Sequence, residues 1–203
     1  HCCPKVSYVY NEVTIQPVKV YDYAAKRVIA VGRLTFQKGF DYLVSAWAIV
    51  SKSFPDWQLD IYGEGELRGK LQQQIDMLGL HDNVHLVGNH ADMPIEYAKH
   101  SIAVMSSNFE GLPLALLEAA SCGLPLVAYD CQCGPREVIA DGENGYLVPK
   151  VGDTAALAQA LMHLMSSGQL RRTMGAASIQ QLLPFSHEEV MRKWRELLNE
   201  ITI

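Results

Sequence analysis

The chain has 203 residues, which is enough to bury the core of one complete domain and barely enough for a second small one. Its hydrophobic fraction of 49% and charged fraction of 19% are typical of a globular protein and exclude a disordered one. The formal net charge of −5 argues against nucleic-acid binding, which depends on a basic surface.

The sequence also bears on compartment and metal binding. No apolar run approaches the ~20 residues of a membrane-spanning helix, and no signal peptide opens the chain. The five cysteines are odd in number and lack zinc-ligand spacing, which favours a reduced, cytoplasmic protein without a metal site. The sequence assigns no role to Cys131 and Cys133. Because the first residue is His1 and not Met, we expect the chain to be a piece of a longer protein.

Short β-rich runs alternate with longer helical patterns, which is the signature of βαβ units and a parallel sheet. Residues 1–25 show weak periodicity and are interpreted as a linker into a domain spanning residues 26–203. The predicted strands are 27–31, 58–62, 83–87, 102–105, 126–129 and 145–148. The predicted helices are 40–52, 66–78, 93–99, 114–120, 153–166, 169–182 and 186–201. These patterns predict the fold class α/β, as a single Rossmann-like domain with a parallel sheet of about six strands flanked by helices and an all-helical C-terminal end.

Loops follow each predicted strand, and in a parallel sheet we expect them all at one edge, where ligands bind. The segment 110–118 stands out among them, because Glu110 and Glu118 lie around a helix start. Pro113 fits the first helical position. The N–H groups near residues 111–114 should face outward with the positive end of the helix dipole, which suits a phosphate or a sugar oxygen. A plainer reading is that the acidic residues only complement that dipole.

Two cations in the loop after the first strand are the best placed to bind a diphosphate. Arg33 can bind two phosphate oxygens with its planar guanidinium, and Lys38 supplies a point charge. Glu118 is suited to accept hydrogen bonds from ribose hydroxyls. Glu110 is suited to orient sugar hydroxyls and to stabilise positive charge on the anomeric carbon. The plainer reading treats the cations as solvated loop residues.

Three other features are interpreted as structural. The glycines of 63–69 superficially match a dinucleotide fingerprint, but the third has the wrong offset and the loop follows the second strand, so an NAD site is rejected. Gly134 and Pro135 are interpreted as turn residues and not as ligand contacts. Arg136 fits a ligand contact and a surface ion pair equally well. The seven histidines are unpaired in sequence and are interpreted as surface or satisfied core residues.

The motifs occur in an order that resembles the donor-binding half of group 1 (family 4) glycosyltransferases. They are Gly32-Arg-Leu with Lys38-Gly39, Tyr62-Gly-Glu-Gly-Glu, Val87-Gly88, Glu110 with Glu118, Gly134-Pro-Arg-Glu and Asp141-Gly-Glu-Asn-Gly-Tyr-Leu-Val. The resemblance runs from about residue 26 to the end of the chain. Each motif alone is weak evidence for this family, whereas the complete set in this order is specific to it.

The resemblance implies a two-Rossmann (GT-B) architecture of which this chain is the C-terminal domain, with residues 1–25 leading from a missing N-terminal domain. It implies retaining transfer of a hexose or N-acetylhexosamine from a nucleotide diphospho-sugar, without a metal or cofactor. UDP is favoured as the nucleotide because it is the more frequent carrier in this family. A glycan or lipid-linked acceptor would be held by the missing domain, in cell-envelope polysaccharide synthesis. The location would be the cytoplasm, with peripheral contact at the inner face of the cytoplasmic membrane allowed. The chain alone should bind donor without transferring it.

The resemblance also implies residue roles. The catalytic residues would be Arg33, Lys38 and Glu110, and the first two would bind the diphosphate. The other residues of the nucleotide-sugar site would be Gly63, then Val87, Gly88 and Asn89 near the base, Gly111, Leu112, Pro113 and Leu114 with Glu110 at the sugar, and Glu118 at the ribose. The final helix, entered at residues 185–187, resembles one that packs toward the N-terminal domain.

Two rival functions stay open from the sequence. The first is a sugar-nucleotide epimerase of the same architecture, which would need an acid/base pair at the anomeric position that the sequence does not identify. The second is a non-catalytic nucleotide-binding module, which would bind nucleotide without consuming donor.

Overall fold

The computed structural model describes residues 8–13 and 22–201, with the backbone only for the last of these. The linker predicted for residues 1–25 therefore falls partly on residues 1–7 and 14–21, which lie outside the described residues. In the described part, residues 8–13 contact the domain: the Val13 N–H donates to the Phe185 carbonyl at 3.0 Å, and the Tyr10 ring lies 4.6 Å from the Phe185 ring.

Six strands form one parallel sheet. They are β1 (Arg27–Val31), β2 (Gln58–Tyr62), β3 (Val84–Gly88), β4 (Ile102–Met105), β5 (Leu126–Tyr129) and β6 (Gly145–Val148). The strand order is β3-β2-β1-β4-β5-β6, so the connections reverse direction between β1 and β4. Ligands of doubly wound sheets bind at such a reversal, beyond the carboxyl ends of the strands. The predicted six-stranded parallel sheet is confirmed.

Eight helices are described along the chain. They are α1 (Phe40–Ser53), α2 (Arg68–Met77), α3 (Met93–Ala98), α4 (Leu114–Ser121), α5 (Pro135–Val138), α6 (Thr154–Met165), α7 (Gly168–Gln180) and α8 (His187–Ile201). Short 3₁₀ turns cover Phe36–Lys38 and Leu183–Phe185. The predicted helices are confirmed within about two residues at their ends, and so is the all-helical C-terminal end.

The core forms two layers because the sheet is covered on both faces. Along β1, Val28 and Ala30 face the layer that contains α1, α2 and α6, while Ile29 faces the layer that contains α3 and α4. This alternation follows from the two-residue period of a strand. All four residues of β4 and of β5 are buried, which is why these strands read as unbroken apolar runs.

The buried charged side chains on the second-layer face of the sheet include Asp60. Asp60 of β2 is 1% exposed, accepts two hydrogen bonds from Arg27 at 2.9 and 2.7 Å, and lies 2.9 Å from His100 Nε2. Burial alone would raise the pKa of Asp60, but His100 and Arg27 outweigh it and hold the pKa below its ordinary value. His100 is itself buried, which confirms the interpretation of a satisfied core histidine.

No helix among the described residues is both long and apolar enough to cross a bilayer.

Candidate functional site

The loops that follow the strands are hydrogen-bonded to one another along the carboxyl edge of the sheet. The backbone bonds, taken across the sheet, are Gly63 N–H to Gly88 O (2.9 Å), Gly32 N–H to Tyr62 O (2.9 Å), Asn108 N–H to Gln37 O (2.8 Å) and Asp130 N–H to Val148 O (2.8 Å). The predicted gathering of these loops on one edge is therefore confirmed. Side-chain bonds add to these main-chain bonds between the loops after β1 and β4, where Ser106 Oγ donates to the Lys38 carbonyl and Asn108 Nδ2 to the Phe36 carbonyl.

Gly63 allows the closest approach between two of these loops. Its φ is 137°, and a Cβ there would lie 2.0 Å from the Gly32 carbonyl oxygen. No other residue can adopt this conformation without moving the loop after β1. The predicted site residue Gly63 thus has a structural reason to be glycine at this position.

A cavity of about 320 Å³ opens beside the ends of β1, β2 and β3. We call it the β1–β3 cavity; its lining is Val31, Gly32, Arg33, Tyr62, Gly63, Glu64, Asn89, His90 and Met93. Of the predicted site residues, Arg33, Gly63 and Asn89 line it. Val87 and Gly88 do not, although the Val87 residue is 42% exposed on the adjacent strand end.

Lys38 and Glu110 form an ion pair at the point where the sheet reverses. The Lys38 ammonium lies 2.6 Å from Glu110 Oε1, and the side chains are 18% and 6% exposed. Ser107 Oγ donates to the same oxygen at 2.6 Å. The structure therefore brings together two of the three predicted catalytic residues, and it adds Ser107, which no sequence pattern indicated.

Helix α4 begins at Leu114, where the predicted helical run begins, but the proline before it is not its first helical residue. Pro113 is the N-cap, with φ −80° and ψ 85°, so the assignment of Pro113 to the first helical position was wrong. The proline ring fixes only φ, and here ψ stays extended while the Pro113 carbonyl accepts the first helical hydrogen bonds, from Leu116 and Leu117.

The start of α4 has the unpaired N–H groups that the sequence predicts, while their binding of an anion stays a prediction. No side chain caps it, and in the part of the chain that the structure describes no protein acceptor meets the N–H groups of Gly111, Leu112, Leu114 and Ala115. A Cβ on Gly111 would meet nothing within 4 Å, so open space lies beside this turn. Unpaired N–H groups at the positive end of a helix bind phosphate or sugar oxygens.

Glu118 lies one turn into α4 and is held by a tyrosine of the neighbouring helix. The Tyr97 hydroxyl donates to Glu118 Oε2 at 3.0 Å. Burial raises the pKa of Glu118, and the Tyr97 bond offsets only part of that effect. Tyr97 was missed by the sequence reasoning, since its apolar neighbours in a short helix mark it only as core.

Glu118 faces a second cavity, of about 340 Å³, which we call the α4 cavity. Its lining is Asn11, Glu12, Val13, Leu114, Leu117 and Glu118. The predicted site residues therefore line two cavities and not one: Arg33 lies on the β1–β3 cavity, while Leu114 and Glu118 lie on the α4 cavity.

The loop after β5 completes the edge and contains Cys131, Cys133 and the start of α5. Cys131 is buried and Cys133 is exposed, with a φ of 62°, and burial raises the pKa of the Cys131 thiol to about 11. Arg136 pairs with Asp130 at the surface, so the plainer reading of Arg136 as an ion-pair residue is confirmed. Among the described residues, no three His, Cys, Asp or Glu side chains are grouped to hold a metal.

Sequence comparison places these features among known proteins. The family model described as "Glycosyl transferases group 1" matches residues 17–181. The amylovoran biosynthesis glycosyltransferase AmsD of Erwinia amylovora is 36% identical over 85% of this chain and 48% of its own length. The exopolysaccharide phosphotransferase SCO2592 of Streptomyces coelicolor is 37% identical over 87% of this chain, but only 19% of its own length is matched.

Structure comparison gives the same result. The crystal structure of a point mutant of TarM from S. aureus, in complex with fondaparinux, α-GlcNAc-glycerol and UDP, superposes with a TM-score of 0.88 at 27% identity. The match covers 94% of this chain and 39% of that one. The chain thus spans less than half the length of each of these similar proteins.

Proposed function

Because the chain belongs to the group 1 glycosyl transferases, we propose that it is the donor-binding half of a retaining enzyme. That enzyme moves a hexose or an N-acetylhexosamine from a UDP-sugar to a glycan or lipid-linked acceptor. The observation that carries the proposal is the unpaired helix start of α4, which lies at the sheet reversal together with the Lys38–Glu110 pair. Such a site supplies N–H groups and a cation to a diphosphate, which is the leaving group of this reaction.

The nature of the donor is supported by the similar structure. TarM, in the crystal that superposes on this chain, is in complex with UDP and α-GlcNAc-glycerol, which favours a uridine nucleotide and an N-acetylhexosamine here too. In this proposal the nucleotide lies across the carboxyl edge of the sheet. Asn89 and the backbone of residues 87–88 meet the base, and Glu118 accepts from the ribose hydroxyls.

The chemical step depends on stabilising the departing diphosphate. Arg33 and Lys38 supply positive charge, and the N–H groups at the start of α4 (Gly111, Leu112, Leu114 and Ala115) add the positive end of a helix dipole. Because Lys38 and the start of α4 are held in place before the reaction, they stabilise developing negative charge without reorganisation. They also support the proposal that the site needs neither metal nor cofactor.

The biological setting follows from the relatives. AmsD is named for amylovoran biosynthesis, which supports a role in cell-envelope polysaccharide synthesis. We propose that an N-terminal domain holds the acceptor, that transfer occurs in the cytoplasm or at the inner face of the cytoplasmic membrane, and that this chain alone binds donor without transferring it. The reaction named for SCO2592 is not extended to this chain, because about four-fifths of that protein lies outside the match.

The test is a calorimetric titration of the full-length protein with UDP, GDP and ADP, with and without EDTA. We expect selective UDP binding that survives EDTA. Glu118→Ala should weaken it roughly 10- to 100-fold, the value of a hydrogen bond to a charged acceptor. Glu188→Ala, which removes an exposed carboxylate of α8, is the matched control and should leave binding unchanged.

Other outcomes distinguish the alternatives. Binding that is lost in EDTA would contradict the metal-independent mechanism. Selective binding without consumption of any UDP-sugar, in the presence of candidate acceptors, would favour the non-catalytic module. Interconversion of two UDP-sugars without transfer would favour the epimerase. No binding of any nucleotide by the folded protein would overturn the proposal.

A further inference from the structure

The carboxylate of Glu110 is shared between two donors. The Lys38 ammonium and the Ser107 hydroxyl each lie 2.6 Å from the same oxygen, Oε1. Ser107 is fully buried, and the Glu110 side chain is 6% exposed. The bond between Ser107 and Glu110 therefore joins two side chains that are almost wholly removed from solvent, beside the proposed diphosphate site.

Lys38 is fixed along its whole length. Its main-chain carbonyl accepts from Ser106 Oγ at 3.0 Å. Its aliphatic stem lies against Gly32, where an added Cβ would come within 3.0–3.1 Å of the Cγ, Cδ and Cε atoms. Its ammonium is bound by Glu110. An ammonium has three N–H donors, so two are left for a ligand after the bond to Glu110.

We propose that Ser107 is a positioning residue that acts on the nucleotide diphosphate through Glu110 and Lys38. This inference rests on the proposed function, since it assumes a diphosphate beside Lys38. The Ser107 hydroxyl fixes the rotamer of the Glu110 carboxylate and takes up part of the accepting capacity of Oε1. Lys38 is then held in place without being fully neutralised, and its remaining donors stay available to phosphate oxygens.

The inference changes the role of Glu110. The family resemblance implies that Glu110 contacts the donor sugar, whereas the geometry assigns its buried oxygen to Lys38. A nucleotide that lacks the sugar separates the two roles. If Ser107 and Glu110 act through Lys38, their effect is already present with UDP. If they act on the sugar, UDP binding does not depend on them.

The experiment compares uridine and UDP binding to the full-length protein by NMR titration. We expect Ser107→Ala to weaken UDP binding about 5- to 20-fold, part of the value of one charged hydrogen bond, and uridine binding less than about twofold. In the Lys38→Met variant, Ser107→Ala should cause no further loss of UDP affinity, because the ammonium through which Ser107 acts is already absent. Ser178→Ala is the matched control: that hydroxyl is also fully buried, but it donates to the Met174 and Asn144 carbonyls.

Each remaining outcome bears on the proposal. Equal weakening of uridine and UDP binding by Ser107→Ala would indicate a structural role and would overturn the proposal. Unchanged UDP binding would also overturn it. So would a further loss of UDP affinity when Ser107→Ala is added to Lys38→Met. If Ser107→Ala does not fold, Ser107→Cys replaces it, because a thiol is close to the hydroxyl in size but is a poorer hydrogen-bond donor. We expect Ser107→Cys to weaken UDP binding more than uridine binding. Unchanged UDP binding in this variant would overturn the proposal. Failure of the wild-type protein to bind either compound would overturn the proposed function together with this inference.

Discussion

At the scale of single residues, the burial of Glu118, which we propose as a donor-binding residue, costs the fold stability. Its pKa is raised because burial disfavours the charged form, and Tyr97 compensates only in part. A carboxyl whose pKa is raised on folding stabilises the protein below its ordinary pKa near 4.5, and that contribution is lost as the pH rises through the raised value. Burial of Glu118 therefore lowers the stability of the folded chain as the pH rises above the ordinary pKa of a glutamate.

We predict that Glu118→Gln raises the melting temperature at pH 7.5 and has little effect on it at pH 3.5, where a glutamate is mostly protonated in the folded and the unfolded chain. The same variant should lose about tenfold in UDP affinity, because a neutral acceptor replaces a charged one. Thermal unfolding at both pH values and a UDP titration check this. Tyr97→Phe should shift the melting temperature at pH 7.5 in the opposite direction, and a lower melting temperature for Glu118→Gln would contradict the prediction.

At the scale of elements, the turn that opens α4 depends on a glycine from another loop. Gly134, at the N-cap of α5, has a φ of 88°. A Cβ there would lie 2.1 Å from the Gly111 carbonyl oxygen and 2.8 Å from Pro113 Cδ. Any side chain at residue 134 must therefore push away the turn whose N–H groups form the proposed anion site.

We predict that Gly134→Ala destabilises the protein by more than about 2 kcal/mol and abolishes measurable UDP binding, since it adds a backbone clash to the cost of a left-handed residue. Gly142→Ala is the control. Gly142 has a similar φ of 80°, but a Cβ there meets nothing within 4 Å, so only the roughly 1–2 kcal/mol conformational cost applies and UDP binding should persist. Equal losses in the two variants, measured by urea unfolding and UDP titration, would refute the clash.

Helix α8 has an apolar stripe that the domain does not fully cover. Met191, Trp194 and Leu198 follow helical spacing and are 37%, 49% and 58% exposed. The family resemblance implies that this helix packs toward an N-terminal domain. The exposed stripe agrees with that expectation, which stays a prediction.

At the scale of the whole molecule, one buried arginine joins parts that lie far apart in the sequence. The guanidinium of Arg171 in α7 donates two hydrogen bonds to the Tyr23 carbonyl, 148 residues away, at 2.9 and 2.8 Å. It donates two more to the Leu164 and Met165 carbonyls at the end of α6, and it lies 5.0 Å from the centre of the Trp57 ring. Arg171 thus ties the segment before β1 to the last helices of the domain.

We predict that Arg171→Lys costs about 2–4 kcal/mol of unfolding free energy, because an ammonium cannot reproduce the planar set of donors and leaves buried carbonyls without partners. The neighbouring Arg172→Lys should stay within about 0.5 kcal/mol, since Arg172 is exposed. Urea unfolding of both variants measures the difference. Near-identical stability of the two variants would show that the Arg171 hydrogen bonds contribute little.

The fold was largely predictable from the sequence because it follows from local patterns. Unbroken apolar runs of four or five residues indicate strands buried on both faces, and the longer amphipathic segments between them require parallel crossovers. Parallel strands place all the following loops at one edge, so the residues after strands are candidates for a site even before their contacts are known. Arg33, Lys38 and Glu110 were predicted as site residues in this way, and Glu118 was predicted from the helix that begins just after Glu110.

The contacts between those residues were decided only by the tertiary structure. Lys38 and Glu110 are 72 residues apart and Tyr97 and Glu118 are 21 apart, and no local pattern encodes which side chain meets which across a sheet edge or between two helices. The separation of Arg33 and Glu118 into two cavities and the clash that requires Gly134 likewise arise from packing. The sequence by itself determined the elements and their edge, because periodicity and turn chemistry act over a few residues. Packing of distant elements determined the bonds within the site, because it fixes side-chain positions to within a hydrogen-bond length.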